Sequence, residues 1–181
     1  MGVLATVIEL GSDSTVYGIL LFLHIICAIL GFGSLALNGL YGQQAAQRKG
    51  PAGVAIGQAN FAVSKVAEIF VYGVFVFGIL LVLTAENDVI GFEDLWVWLS
   101  ILLFVIAIGF SHARQIPNAR KMNTLAEELA TTEGPPPGQG GPPPQVVQME
   151  AIGKQLAVGG VFLNLMLLTI LYLMIFKPGF P

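Results

Sequence analysis

The sequence has little charge and almost no cysteine. Only 10% of its 181 residues are charged, whereas soluble domains carry about 25%. Because 55% of the residues are hydrophobic, polar groups cannot cover the folded surface, and lipid must solvate part of it. The single cysteine, Cys27, excludes an intramolecular disulfide, and its apolar surroundings in the sequence favour a buried small side chain. With a net charge of −3, the chain has no basic patch for nucleic acid.

Targeting and catalytic motifs are also lacking. Residues 1–15 contain no Lys or Arg and include Glu9 and Asp13, so a secretory signal peptide is not expected. The sequence has no nucleophile with a matching base and no set of residues at metal-ligand spacing. It therefore predicts no catalytic residues and no metal site, and it favours a non-enzymatic protein while leaving enzymatic activity open.

Four apolar runs dominate what is present. They cover residues 16–40, 66–85, 95–113 and 156–176, each near the ~20 residues that cross a ~30 Å hydrocarbon core. Because backbone polar groups in lipid must be satisfied within their own segment, these runs are predicted to be helices. The sequence thus predicts an all-α polytopic membrane protein, in which residues 1–181 form a single antiparallel four-helix transmembrane bundle.

Basic residues indicate the orientation of the spans. Seven of the eight Lys and Arg residues lie in segments 41–65 and 114–154. The positive-inside rule predicts that both segments are cytoplasmic and both termini outside, in the plasma membrane of a bacterium. Aromatic residues that are expected at the outer interface are Tyr17, Trp96, Trp98 and Tyr172.

The helices are predicted to extend beyond the membrane on the cytoplasmic side. No breaker follows the first span until Gly50-Pro51, so the first helix is expected to reach about Lys49. Pro117 is expected to interrupt the helix of the third span, and residues 131–145 form a Pro/Gly-rich cytoplasmic linker. An amphipathic helix before this linker is predicted from Met122, Leu125, Ala126 and Leu129.

One histidine lies inside the first span. An ionisable side chain at the bilayer centre costs at least ~2.5–3.5 kcal/mol on insertion scales, so His24 is expected to face inward and to be paired. Cys27, Ala28 and Gly31 share its helix face and form a small-residue stripe that allows close helix packing. Two interpretations stay open: His24 binds haem b or a transition metal, or it is neutral and hydrogen-bonded across helices. Met166 lies at similar depth and is the candidate second haem ligand.

A second candidate site is a polar cluster at the cytoplasmic ends of two spans. Glu68 is the only acid within the four runs, and Lys65 lies one turn before it. His112 and Arg114 end the third span at a similar depth, because a short loop makes spans two and three antiparallel neighbours. The cluster is interpreted either as a proton relay or ion site, or as an ion-paired anchor that fixes helix register.

The sequence resembles an uncharacterised family of predicted bacterial, mainly actinobacterial, integral membrane proteins, the DUF2269-like proteins. The similarity is carried by the segments GFGSLALNGLY (31–41), ANFAVSKVAE (59–68), WVWLS (96–100) and KPG (177–179). It implies a four-helix protein of the bacterial inner membrane and supplies no activity. A more distant similarity, on His24 and the glycines after it, is to copper-resistance D-type and haem-binding membrane proteins.

Two functional hypotheses follow from the sequence. The favoured hypothesis is a non-enzymatic accessory or interaction subunit of the plasma membrane. Its partners would be the lipid bilayer and other membrane subunits or a second copy, with no nucleic acid. The alternative is a haem- or metal-binding membrane redox protein that uses His24.

Overall fold

The computed structural model describes residues 14–48, 50–85, 91–131 and 143–178. All regular structure within these ranges is helical, and four helices are long and apolar enough to cross a membrane. They are α1 (Thr15–Gln47), α2 (Pro51–Thr84), α3 (Leu95–Thr131) and α4 (Pro144–Phe176). The predicted all-α polytopic fold is confirmed, because each predicted span lies on one of these helices, with its ends at most four residues outside it.

The described residues belong to two compact units. The first unit takes its residues from Met1–Leu35, Lys65–Ile106 and Met166–Pro181. The second unit consists of Ala36–Ser64 and the described part of Ala107–Leu165. Each helix contributes residues to both units. The first unit contains most of each predicted span, and the second contains the helical segments beyond the spans.

The connection between α1 and α2 is a tight turn within the second unit. Gly50 has φ of 72°, in the left-handed region that glycine enters without strain, and Pro51 starts α2. A Cβ on Gly53 would collide with the carbonyl oxygens of Arg48 and Ala45, so the end of α1 lies directly against the first turn of α2. The predicted helix ends are confirmed to within two residues, with Lys49 itself outside the described ranges.

Helix α3 continues past the predicted break at Pro117. The α-helix Leu95–Phe110 is followed by a π-helical turn, Ser111–Gln115, and then by the α-helix Ile116–Thr131. The Ile116 N–H bonds the carbonyl of Ser111, five residues back. Pro117 then falls in the first turn of the next α-helical segment, where a missing N–H is tolerated. The proline therefore coincides with a change of helix type, and the prediction that it breaks the helix was wrong.

The amphipathic segment after Pro117 and the helix before the fourth span both lie in the second unit. Leu125 is buried, and Met122, Ala126 and Leu129 are half-buried, as their spacing predicted. Most of the predicted linker, 131–145, lies outside the described ranges. Helix α4 begins at Pro144, well before the predicted span start at 156, because polar residues continue the helix where hydropathy no longer marks it.

Candidate functional site

His24 of α1 contacts the backbone of α2 in the first unit. Its Nδ1 lies 2.9 Å from the carbonyl oxygen of Val74. Because a carbonyl oxygen can only accept, Nδ1 must donate, and a neutral ring then keeps its lone pair on Nε2. The Val74 carbonyl also belongs to the α2 backbone ladder, so this is an additional interhelical bond. The arrangement matches the interhelical histidine that the sequence allowed, and it leaves Nε2 as the nitrogen able to bind a metal.

The small-residue stripe around His24 lets α1 and α2 approach closely. A Cβ on Gly31 would lie 3.0 Å from the backbone nitrogen of Val71, so backbone meets backbone there. A Cβ on Gly73 would lie 2.8 Å from the Cys27 sulfur. Cys27 and Gly31 are both buried, as expected for a packed face. The predicted close packing of this stripe is therefore present.

Beside His24, glycine keeps space for the imidazole. A Cβ on Gly78 would lie 3.1 Å from the Cε1 atom of His24. Met166 is half-buried and also belongs to the first unit, and its pairing with His24 stays a prediction. Within the described ranges, no three His, Cys, Asp or Glu residues come together as metal ligands.

The core of the first unit contains two polar side chains that the sequence did not single out as a pair. Trp96 is 4% exposed and Ser100 2% exposed, one helical turn apart on α3. Neither the Trp96 Nε1 atom nor the Ser100 hydroxyl has a hydrogen-bond partner. Trp96 packs with Val97 and Leu173, so its expected interfacial position was wrong for the ring itself. Trp98, 56% exposed, has the exposure expected of an interfacial aromatic side chain.

The residues of the predicted polar cluster are divided between the two units. Lys65 and Glu68 belong to the first unit, where the Tyr72 hydroxyl donates to Glu68 at 3.1 Å. His112 and Arg114 belong to the second unit, where His112 Nδ1 donates to the carbonyl of Ile108 at 3.1 Å. A single site made of all four residues therefore stays a prediction.

Arg114 lines a groove between α3 and α4 in the second unit. The groove has a volume of about 440 Å³. Its lining includes two cations and no carboxylate. The lining residues are Phe110, Arg114, Asn118, Lys154, Gln155, Val158 and Gly159. No sequence signal marked this groove beforehand, although Pro117 pointed to the irregular turn on one side of it.

Polar side chains join the helices of the second unit. The Gln58 amide donates to Glu127 at 2.6 Å, linking α2 to α3. The Asn118 amide donates to Gln155 at 3.0 Å, linking α3 to α4. The Gln115 amide, which ends the π-helical turn, donates to the Leu156 carbonyl at 3.3 Å. These residues fix a defined surface from helical segments that carry too little apolar surface to pack by burial alone.

Comparison with known proteins gives one match. A family model described as "Predicted integral membrane protein (DUF2269)" matches residues 18–178, which is most of the chain. No curated protein and no solved structure matches. The similarity to copper-resistance D-type proteins is not shown by these comparisons, whereas the resemblance to the membrane-protein family is confirmed.

Proposed function

We propose a function for this chain on the premise that it belongs to the DUF2269 family of predicted integral membrane proteins. The protein is a non-enzymatic accessory or interaction subunit of the bacterial plasma membrane. Residues 1–181 act as a single transmembrane domain, and the second unit provides the surface that binds another membrane protein or a second copy.

The observation that carries this proposal is the set of side-chain hydrogen bonds within the second unit. Gln58–Glu127 and Asn118–Gln155 connect three helices through groups that lie on the exposed surface. Hydrogen bonds at exposed positions contribute little to stability. What such bonds do supply is a fixed geometry, and a preorganised surface loses less side-chain entropy when a partner binds.

Site-specific photo-crosslinking in intact membranes tests this proposal. A photoreactive residue at Gln43 or Lys121, both exposed in the second unit, is expected to yield a discrete crosslinked protein band. The matched controls are Leu102 and Val105, which are exposed on the apolar part of α3 and should crosslink mainly to lipid. A discrete band from the controls, with none from Gln43 and Lys121, would contradict the proposed surface.

The proposed orientation puts both termini outside and segments 41–65 and 114–154 in the cytoplasm. The asymmetry of Lys and Arg supports it. In a Cys27→Ala background, cysteines at Phe92 and Pro178 should react with an impermeant thiol reagent applied to intact cells. Cysteines at Gln43 and Ala130 should react only after the membrane is opened. The reverse pattern would invert the topology.

A second candidate function is a haem- or metal-binding redox protein, and one observation favours it. Histidines that bind metals almost always donate their other ring N–H to a carbonyl or carboxylate, as His24 does to Val74. His24 would then bind through Nε2, with Met166 as the second haem ligand.

Absorption spectra of protein purified from haem-supplemented cells separate the two functions. Under the second hypothesis, a Soret band is present and disappears in His24→Gln. The matched control is His112→Gln, which removes the other histidine of the chain and should leave the band unchanged. A colourless protein without metal in elemental analysis rejects the second hypothesis and keeps the first.

A further inference from the structure

We propose that the groove between α3 and α4 in the second unit binds one anionic glycerophospholipid, with its phosphate held by Arg114 and Lys154. The groove is about 440 Å³ in volume, and its cationic lining is described above. This inference concerns a lipid ligand and does not depend on the proposed protein partner.

The charge distribution in the groove selects an anion. Arg114 and Lys154 come from different helices but line the same groove, whose lining contains no carboxylate. Gln155 accepts the Asn118 amide through its Oε1 atom, so its own amide keeps two N–H donors. A phosphodiester offers several acceptor oxygens to these donors, and basic pockets between membrane helices are known to bind such headgroups.

The apolar part of the groove suits an acyl chain. Val158 is 71% exposed and forms one wall, and Phe110 is half-buried on the other side. The Phe110 ring is held against Phe162, with ring centroids 4.8 Å apart. One end of the groove is therefore cationic and the rest is apolar, as a lipid headgroup and its chain require.

Glycine makes the base of the groove. A Cβ on Gly159 would lie 2.7 Å from the Oε1 atom of Gln115 and 3.1 Å from the Phe110 ring. The π-helical turn places Gln115 where its amide reaches the Leu156 carbonyl. π-Helical turns are frequent at functional sites. The turn and the glycine together fix the spacing of α3 and α4 at this point.

The place of the groove along the helices also fits a phosphate. Arg114 directly follows the apolar run of α3, and Lys154 lies two residues before the apolar run of α4. A run such as 95–113 spans roughly 28 Å at 1.5 Å per residue, close to the hydrocarbon thickness. Both cations therefore lie at the level where the apolar core gives way to headgroups.

Native mass spectrometry of the purified protein in detergent tests the proposal with dioleoyl-phosphatidylglycerol as the probe. The wild type is expected to bind one lipid. The double variant Arg114→Gln/Lys154→Gln should bind it about 25-fold more weakly, at roughly fivefold per cation. The matched control is Arg120→Gln/Lys121→Gln, which removes the same charge from the same helical region and should keep wild-type binding.

A steric pair of variants keeps the test informative if the charge variants unfold. Val158→Trp fills the groove, whereas Val161→Trp changes a similarly exposed valine one turn away, 61% exposed, outside the groove. Loss of the lipid in the first and retention in the second supports the proposal. Equal binding in both overturns it.

Three further probes separate the sources of the anion. Dioleoyl-phosphatidylcholine, with the same chains, should bind more weakly than phosphatidylglycerol, and inorganic phosphate should not compete at equal concentration. Equal binding of both lipids, or displacement by phosphate, overturns the assignment to an anionic lipid. A lipid-free dimer that Val158→Trp converts to monomer would assign the groove to a second copy and also overturn it.

Discussion

In the first unit, α1 and α2 meet through glycines and small side chains, whereas in the second unit the helices are joined by amides and a carboxylate. Gly31 lies against the α2 backbone, and the one printed side-chain bridge there is from His24 to Val74. In the second unit, bonds such as Gln58–Glu127 and Asn118–Gln155 connect exposed polar faces. The difference follows from the solvent: apolar surface gains nothing from burial when lipid surrounds it, so close van der Waals packing takes over.

The largest expected effect comes from adding one methyl group to the α1–α2 contact. Gly31→Ala should lower the free energy of unfolding by about 2 kcal/mol, because the new Cβ meets the Val71 backbone, which cannot rotate away. SDS titration of the protein in mixed micelles measures this change.

Gly33→Ala is the control for that substitution. No atom lies within 4 Å of a Cβ at Gly33, so this change should be neutral or slightly stabilising through its better helix propensity. Equal destabilisation by both alanines would show that backbone proximity does not hold α1 to α2.

The corresponding change in the second unit should cost less. Gly159→Ala should lower the free energy of unfolding by about 1 kcal/mol, because the Gln115 side chain can move away but then loses its bond to Leu156. Gly160→Ala serves as the neighbour control, since its nearest atom would be 4.0 Å from the new Cβ. A cost for Gly159→Ala above that of Gly31→Ala would reverse the comparison between the units.

A smaller effect is expected from the one interhelical side-chain bond described in the first unit. His24→Leu should cost about 0.6 kcal/mol, the average for hydrogen bonds between membrane helices. The Val74 carbonyl keeps its bond within α2, so the substitution leaves no orphaned acceptor. A loss of several kcal/mol in the SDS titration would mean that His24 holds something besides the two helices.

The smallest effect should come from the exposed bond between Gln58 and Glu127. Gln58→Met removes the donor and should change the free energy of unfolding by about 0.5 kcal/mol. Gln43→Met, at another exposed glutamine of the second unit, should be neutral. A larger change at Gln58 would indicate that polar bonds stabilise the second unit as well as ordering it.

The fold was largely predictable, because lipid imposes a strong rule on sequence. Four apolar runs of about the right length can only be helices. The turn at Gly50-Pro51 was predictable for a similar reason, since few other residues enter a left-handed turn without strain. The start of α4 at Pro144 was not, because polar helix beyond the membrane carries no hydropathy signal.

The candidate sites were harder to predict. Small-residue spacing located the His24 face correctly, because the i, i+3, i+7 pattern follows from helix geometry alone. Spacing along one helix cannot say which residue of α4 will oppose Arg114, so Lys154 and Gln155 went unnoticed. The burial of Trp96 and Ser100 depends in the same way on the helices packed around them.

The π-helical turn Ser111–Gln115 makes chain length, as well as residue identity, a constraint on this protein. A π turn accommodates one residue more than an α turn, so the helical segment after it keeps its angular phase only while that extra residue is present. Deleting a single residue there would restore an ordinary α-helix and turn everything after it by about 100° about the helix axis. Leu125 would then turn away from its buried position in the second unit. Point substitutions in this stretch should therefore be far better tolerated during divergence than a one-codon gap.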